Sequence, residues 1–212
     1  MWLNMNPNVL INSINKKLKS FMGNSFHINR SKYDAFSYVI AGTSLALNRF
    51  PNDSREVKVF NWINDFWLFL EIKFCKREKI LSNKTKLQTN TSISLSVFQG
   101  ENSDKKKYQL FRAEWDDYNA SEEKYAQPHW HITSSQAIEN FFEEYADVFN
   151  KPEILKELER EKQKIVDIKK IHFAMNGDWQ NSGNYIHKIE DEQHIVMWLQ
   201  GILKYLKTEL VK

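Results

Sequence analysis

Ser92-Ile93-Ser94-Leu95-Ser96-Val97-Phe98 alternates small hydroxylated residues with apolar ones, and this period of two decides the fold class. Successive side chains of an extended strand point to opposite faces. Ile93, Leu95 and Val97 therefore share one face, and Ser92, Ser94 and Ser96 the other. After a polar turn from Gly100 to Lys107, Tyr108 to Asp116 repeats the pattern. Phe111, Ala113 and Trp115 oppose Leu110, Arg112, Glu114 and Asp116. Two strands joined by a short polar loop predict an antiparallel hairpin.

Upstream, Phe66, Leu68, Leu70, Ile72 and Phe74 alternate with Trp67, Phe69, Glu71, Lys73 and Cys75, which predicts a further strand. Because both sets begin apolar, a helix continuing from residue 54 is the alternative there. Downstream, Pro128 to Thr133 is a short strand, with Pro tolerated at its start. Lys169 to Met175 is another, stopped by the Asn176-Gly177 turn signal.

Helical spacing governs the ends. Leu10, Ile14, Leu18 and Phe21 lie on one stripe, with Lys16, Lys17 and Lys19 opposite. The spacing of Tyr33, Phe36, Val39 and Ile40 predicts a second helix over 32–47, and a third is expected over 54–67 with Ser54 as N-cap. Past the central strands, Ile138, Phe141, Phe142, Tyr145 and Phe149 suit a helix capped by Thr133 or Ser134. Pro152 opens a charged helix running to about Ile165. The closing helix carries Ile195, Trp198, Leu199, Ile202, Leu206 and Leu210 behind an acidic start at Glu190, Asp191 and Glu192. Helices at both ends and strands between them predict an α+β fold, an antiparallel sheet of four or five strands packed against N- and C-terminal helices. The expectation is one domain over residues 1–212: 1–65 mainly helical, 66–133 mainly strands, 134–168 helices, 169–175 a strand and 190–210 a helix.

Composition narrows the classes. With 42% hydrophobic and 14% aromatic residues, the 212-residue chain can bury a sizeable core, which excludes wholesale disorder. Thirty basic against 27 acidic residues leave a charge of +3, which does not by itself indicate nucleic acid. The single Cys75 excludes an intramolecular disulfide and any multi-cysteine zinc site, and is expected to be packed rather than nucleophilic. No run approaches the roughly 20 apolar residues of a membrane span. Met1-Trp2-Leu3-Asn4 lacks a basic segment leading into an apolar one, so the cytoplasm is the expected compartment and no membrane is implied. Seven Trp and 14 Phe point to an interface with another protein.

Parity along the strands assembles one polar constellation. His129 and His131 share a face opposite Trp130 and Ile132; His172 stands opposite Ile171 and Phe173. If these strands join one sheet with their apolar faces on the helices, Arg112, Glu114, His129, His131 and His172 gather on the other face, beside the serines. Imidazoles near a carboxylate suit a divalent metal, with His129, His131 and His172 as candidate ligands, although no metal is required. Alternatively, two histidines serve as acid and base while Arg112 holds a phosphate. Each element also has a plainer use: a solvated His-x-His face, an exposed Arg112–Glu114 pair worth about 0.2–1 kcal/mol, and a buried, hydrogen-bonded His172.

Among familiar motifs, His131-Ile132-Thr133 matches one H-x-[ST] strand of the two-histidine phosphoesterases, but His172-Phe173-Ala174 lacks the second hydroxyl. The His-x-His of cupins lacks its following Glu and Gly. Phosphate-loop, dinucleotide-fingerprint and His-Glu-x-x-His patterns are missing. Phe111-Arg112-Ala113-Glu114-Trp115-Asp116 together with Gln127-Pro128-His129-Trp130-His131-Ile132 resembles the paired Arg/acid and Pro-His strands of small toxins from bacterial toxin–antitoxin and phage-defence loci. The resemblance is confined to those stretches and implies a context, a bacterial accessory or defence protein, without supplying a mechanism. Two functions follow as expectations. One is an accessory subunit of such a multiprotein system, acting through protein–protein contacts. The other is a histidine-dependent nuclease or phosphodiesterase-like effector with its site on the open face of the sheet.

Overall fold

The structure, a computed structural model, describes residues 5–50, 53–81, 84–104, 107–117, 128–132, 189 and 191–211. Their order is α1 (Pro7–Met22), β1 (Ile28–Arg30), β2 (Ser37–Ile40), β3 (Ser44–Phe50), β4 (Asp53–Ile63), β5 (Phe66–Leu81), β6 (Lys84–Gln99), β7 (Tyr108–Asp116), β8 (His129–Ile132) and α2 (Glu192–Leu210). The fold is α+β, as expected, but the sheet has eight described strands rather than four or five.

The main path runs β1-β2-β5-β6-β7-β8, and every pairing is antiparallel. The β5–β6 and β6–β7 registers place Leu70 opposite Leu95 and Leu95 opposite Ala113, so apolar residues line up on one face. On the other face Glu71 meets Ser94, and Ser94 meets Glu114. The parity of the serine-alternating strand therefore propagates across its neighbours.

The apolar face carries the helices. Tyr38, in register with Ile72, stacks edge-on against Phe74 and reaches Asn8 of α1 with its hydroxyl. Asn6 caps α1, Asp191 caps α2, and the Glu192 carboxylate accepts a bond from the Asn6 backbone. Leu10, Ile14 and Leu18 of α1 and Ile195, Leu199, Ile202 and Leu206 of α2 are buried with Leu68, Leu70, Ile72, Ile93, Leu95 and Val97 in one core. Each such side chain contributes about 1.5–3 kcal/mol on leaving water. No helix among the described residues is long and apolar enough to cross a membrane.

Two predicted helices are strands. Residues 32–47 form a turn followed by β2 and the start of β3, and residues 54–67 are β4 and the start of β5. Ser54 caps no helix; it pairs with Arg49. Tyr33 and Phe36, which set the apparent helical stripe, are exposed in a turn where Asp34 accepts bonds from the Phe36 N–H and the Ser37 hydroxyl. In β4 the decisive pattern is Val57 and Val59 inward against exposed Glu56 and Lys58. Residues 1–65 are thus not mainly helical beyond α1.

These strands give the fold its roof. β4 pairs with β5 only near Phe60–Ile63, and its earlier part pairs with β3 as a ribbon. The ribbon covers the polar face: Ser96 donates to Asn48, Gln109 accepts from the Arg49 N–H at 2.6 Å, and Lys107 Nζ donates to Ser44. Gly42 admits the close passage of the β2–β3 connection, since a Cβ there would meet the backbone of Lys58 and Val59. The expected helices of 134–168 and the strand 169–175 lie outside the described residues.

Candidate functional site

Arg112, Glu114, His129 and His131 converge as their parity requires. Antiparallel pairing of β7 with β8 sets Arg112 opposite His131 and Glu114 opposite His129. His172 lies outside the described residues. His131 Nε2 is 2.8 Å from Glu114 Oε2, and His129 Nε2 is 3.6 Å from the same oxygen. The two imidazole nitrogens are 2.9 Å apart.

Arg112 holds the carboxylate from behind. Its Nε lies 2.7 Å from Glu114 Oε1, while another of its nitrogens donates to the Arg49 carbonyl at 2.5 Å. The Arg112 side chain is only 3% exposed. It is engaged inside the protein, under the ribbon, by the Arg49 carbonyl and the Glu114 carboxylate. Arg112 thus holds Glu114 with one oxygen turned to the histidines.

Electrostatics follow from this packing. Burial would raise the Glu114 pKa, but the bond with His129 and the charges of Arg112 and His131 outweigh it and hold the carboxyl at about 2. Burial lowers the His131 pKa, as do the charges of Arg112 and His129, against the opposing pull of Glu114. At neutral pH the centre is a carboxylate facing an imidazole that favours its neutral form.

The polar face is partly closed, not open. Beside the centre lies a cleft of about 330 Å³ lined by Glu114, Ser92, Ser94, Asp116, Lys73 and the Arg55–Glu71 ion pair, among others. Arg55 and Glu71 also line a larger cleft of about 580 Å³, which runs toward Arg30 and Tyr33. The residues that sequence reasoning missed are therefore Asn48, Arg49 and Arg55, which act from above the sheet. The signal available for them was the Val57-Lys58-Val59 alternation. Ser96 is spent on Asn48, and Ser94 lines the cleft. Cys75 is exposed, not packed. His194 is partly exposed at the start of α2, where its N–H donates to the Asp191 cap.

No protein-family model, curated protein or solved structure matches this chain.

Proposed function

We propose that the chain is a hydrolase-type effector that cleaves phosphodiester bonds in a polyanion, with Glu114, His129 and His131 as its reacting centre. The observation that carries this reading is the convergence of two imidazole nitrogens on one carboxylate oxygen beside a cleft. In the acid–base version, His131 accepts the proton of an attacking hydroxyl as its oxygen bonds to phosphorus. Protonated His129 then returns a proton to the leaving oxygen as the second O–P bond breaks. Glu114 stays anionic and balances the imidazolium that forms.

A polyanion is supported by the β5–β6 hairpin. Its pairing continues from Lys76–Thr89 to Leu81–Lys84, beyond the registers with β2, β4 and β7. The sequence of that arm holds Lys76, Arg77, Lys79, Lys84 and Lys86 against Glu78 alone. Such a concentration of charge steers phosphate backbones.

The test is cleavage of labelled single- and double-stranded RNA and DNA by the purified chain. His131→Ala is expected to lower the rate by about 10²–10⁴-fold and to leave the melting midpoint within a few degrees, since the residue is only partly buried and lies outside the apolar core. A wild-type chain that cleaves none of these polymers, nor an activated phosphodiester, overturns the reading.

A second reading has its own observation. Tyr33, at the larger cleft, is fully exposed, and Phe36 on the same turn between β1 and β2 is more than half exposed. Aromatic side chains so placed suit a protein partner, as an accessory subunit of a bacterial defence or toxin–antitoxin system requires. Co-purification with a neighbouring gene product that is lost in Tyr33→Ala/Phe36→Ala supports this second reading; an unchanged yield of complex counts against it.

A further inference from the structure

We propose that Glu114, His129 and His131 bind a divalent first-row transition metal, zinc above all, and leave at least one coordination position for water or substrate. The proposal deepens the hydrolytic reading and, for its catalytic meaning, rests on it. Three donor atoms, Oε2 of Glu114 and Nε2 of each histidine, lie within 4.8 Å of one another. Their separations of 2.8, 2.9 and 3.6 Å define a triangle. The circle through its corners has a radius of about 1.8 Å, just under the metal–ligand distance of roughly 2.0–2.1 Å for imidazole or carboxylate zinc. An ion placed slightly to one side of the triangle reaches all three at once, with its remaining positions on that side.

Protonation alone serves the cluster poorly. An imidazole nitrogen offers, in the ring plane, either one hydrogen or one lone pair. If His131 Nε2 carries the hydrogen, its contacts to Glu114 and His129 must share it. If His129 carries it, the His131 lone pair faces the Glu114 oxygen at 2.8 Å. A cation in the middle satisfies all three lone pairs together.

The donor set also selects the ion. Calcium and magnesium take shells of oxygen, whereas two imidazoles with one carboxylate suit zinc and its neighbours. Arg112 Nε lies 2.7 Å from Glu114 Oε1 and its Nη2 reaches Oε2 at a longer 3.4 Å, so Oε2, nearer the imidazoles, is the oxygen best placed to act as a single ligand. Arg112 thereby orients the carboxylate, as hydrogen-bond partners of metal ligands do.

The test uses the full chain stripped with chelator and titrated with Co²⁺, read by its visible absorption, alongside elemental analysis of protein purified without chelator. The expected result is about one metal per chain and a cobalt spectrum of low coordination number. His129→Ala and His131→Ala should each weaken cobalt binding by more than about 100-fold, and Arg112→Lys by about 10- to 100-fold. His194→Ala should leave it unchanged. Glu114→Gln, close in shape to the native side chain, guards against misfolding and should also weaken binding; far-ultraviolet circular dichroism confirms the fold of each variant.

Less than about a tenth of an equivalent bound by the wild type, or wild-type affinity in both histidine variants, overturns the proposal. Chelator-resistant cleavage by a chain that takes up no metal in the titration sinks the metal site and leaves the hydrolytic reading standing. Stoichiometric metal without cleavage does the reverse.

Discussion

The two faces of this sheet are built on opposite terms although they share every strand from β5 to β7. One face presents Leu70, Leu95 and Ala113 in register and is covered by α1 and α2, so its stability comes from apolar area and close packing. The other presents Glu71, Ser94, Ser96, Arg112 and Glu114 beside a buried aromatic end at Trp67, Phe69 and Phe98, and is covered by the β3–β4 ribbon, whose Asn48 and Arg49 meet it through hydrogen bonds. The difference teaches that a polar face can be an interior one. Ser96 and Asn48 are as inaccessible as Leu95, and Arg112 is nearly so. Polar groups there are directional, and they hold Glu114 in one orientation where a hydrophobic contact would not.

The comparison breaks most severely at the apolar face. Leu95→Ala is expected to cost about 2–5 kcal/mol, the price of a cavity in a fully buried layer. The measurement is the urea midpoint at constant slope. A loss below about 1 kcal/mol would mean that α1 and α2 do not pack on that face.

Arg112→Met tests the polar face with similar volume. It should cost about 1–3 kcal/mol, because the Arg49 carbonyl and the Glu114 carboxylate each lose a charged donor. The same change should raise the Glu114 pKa, followed by carbon-detected NMR of the carboxyl. An unmoved titration would show that the cation is not what holds Glu114 down.

The smallest effect is that of pH. The Glu114 pKa is depressed in the folded chain, from about 4.5 to about 2, so between those values the unfolded chain binds more protons. Its contribution is complete above about pH 4.5 and is lost as pH falls toward 2. Converted at 1.36 kcal/mol per unit, it is at most about 3 kcal/mol, before discounting for a side chain one quarter exposed. His131, also shifted down, has the same sign: its contribution is complete above its ordinary value of 6.5 and is lost as pH falls below it. Glu114→Gln should flatten the acid limb of stability between pH 5 and 2, as read by denaturant unfolding at stepped pH. An acid limb identical to the wild type would refute the assignment.

Legibility in the sequence followed the same division. Where one face was apolar and the other polar, as in Ser92–Phe98 and Tyr108–Asp116, a period of two placed Arg112, Glu114, His129 and His131 together before any register was known. The closing helix was equally plain, since one stripe of α2 meets the core. The misreadings came where that contrast fails. β2 is only four residues long, with Tyr38 and Ile40 buried on one face, Val39 half-buried at the larger cleft, and Ser37 buried by its bond to Asp34, so too little alternation is left to read. Tyr33 and Phe36 then supplied a helical spacing from residues that belong to a turn. Register and the third dimension were not legible at all: nothing local says that Arg49 will bond Arg112 across 63 residues.

Both histidines of the centre ride on β8, a strand of only four residues that stands last in the described strand order. Four register pairs join it to β7. Whatever bridges His129 and His131 to Glu114 on β7 adds a tie between the two strands, so its binding and their pairing stabilise each other by mass action.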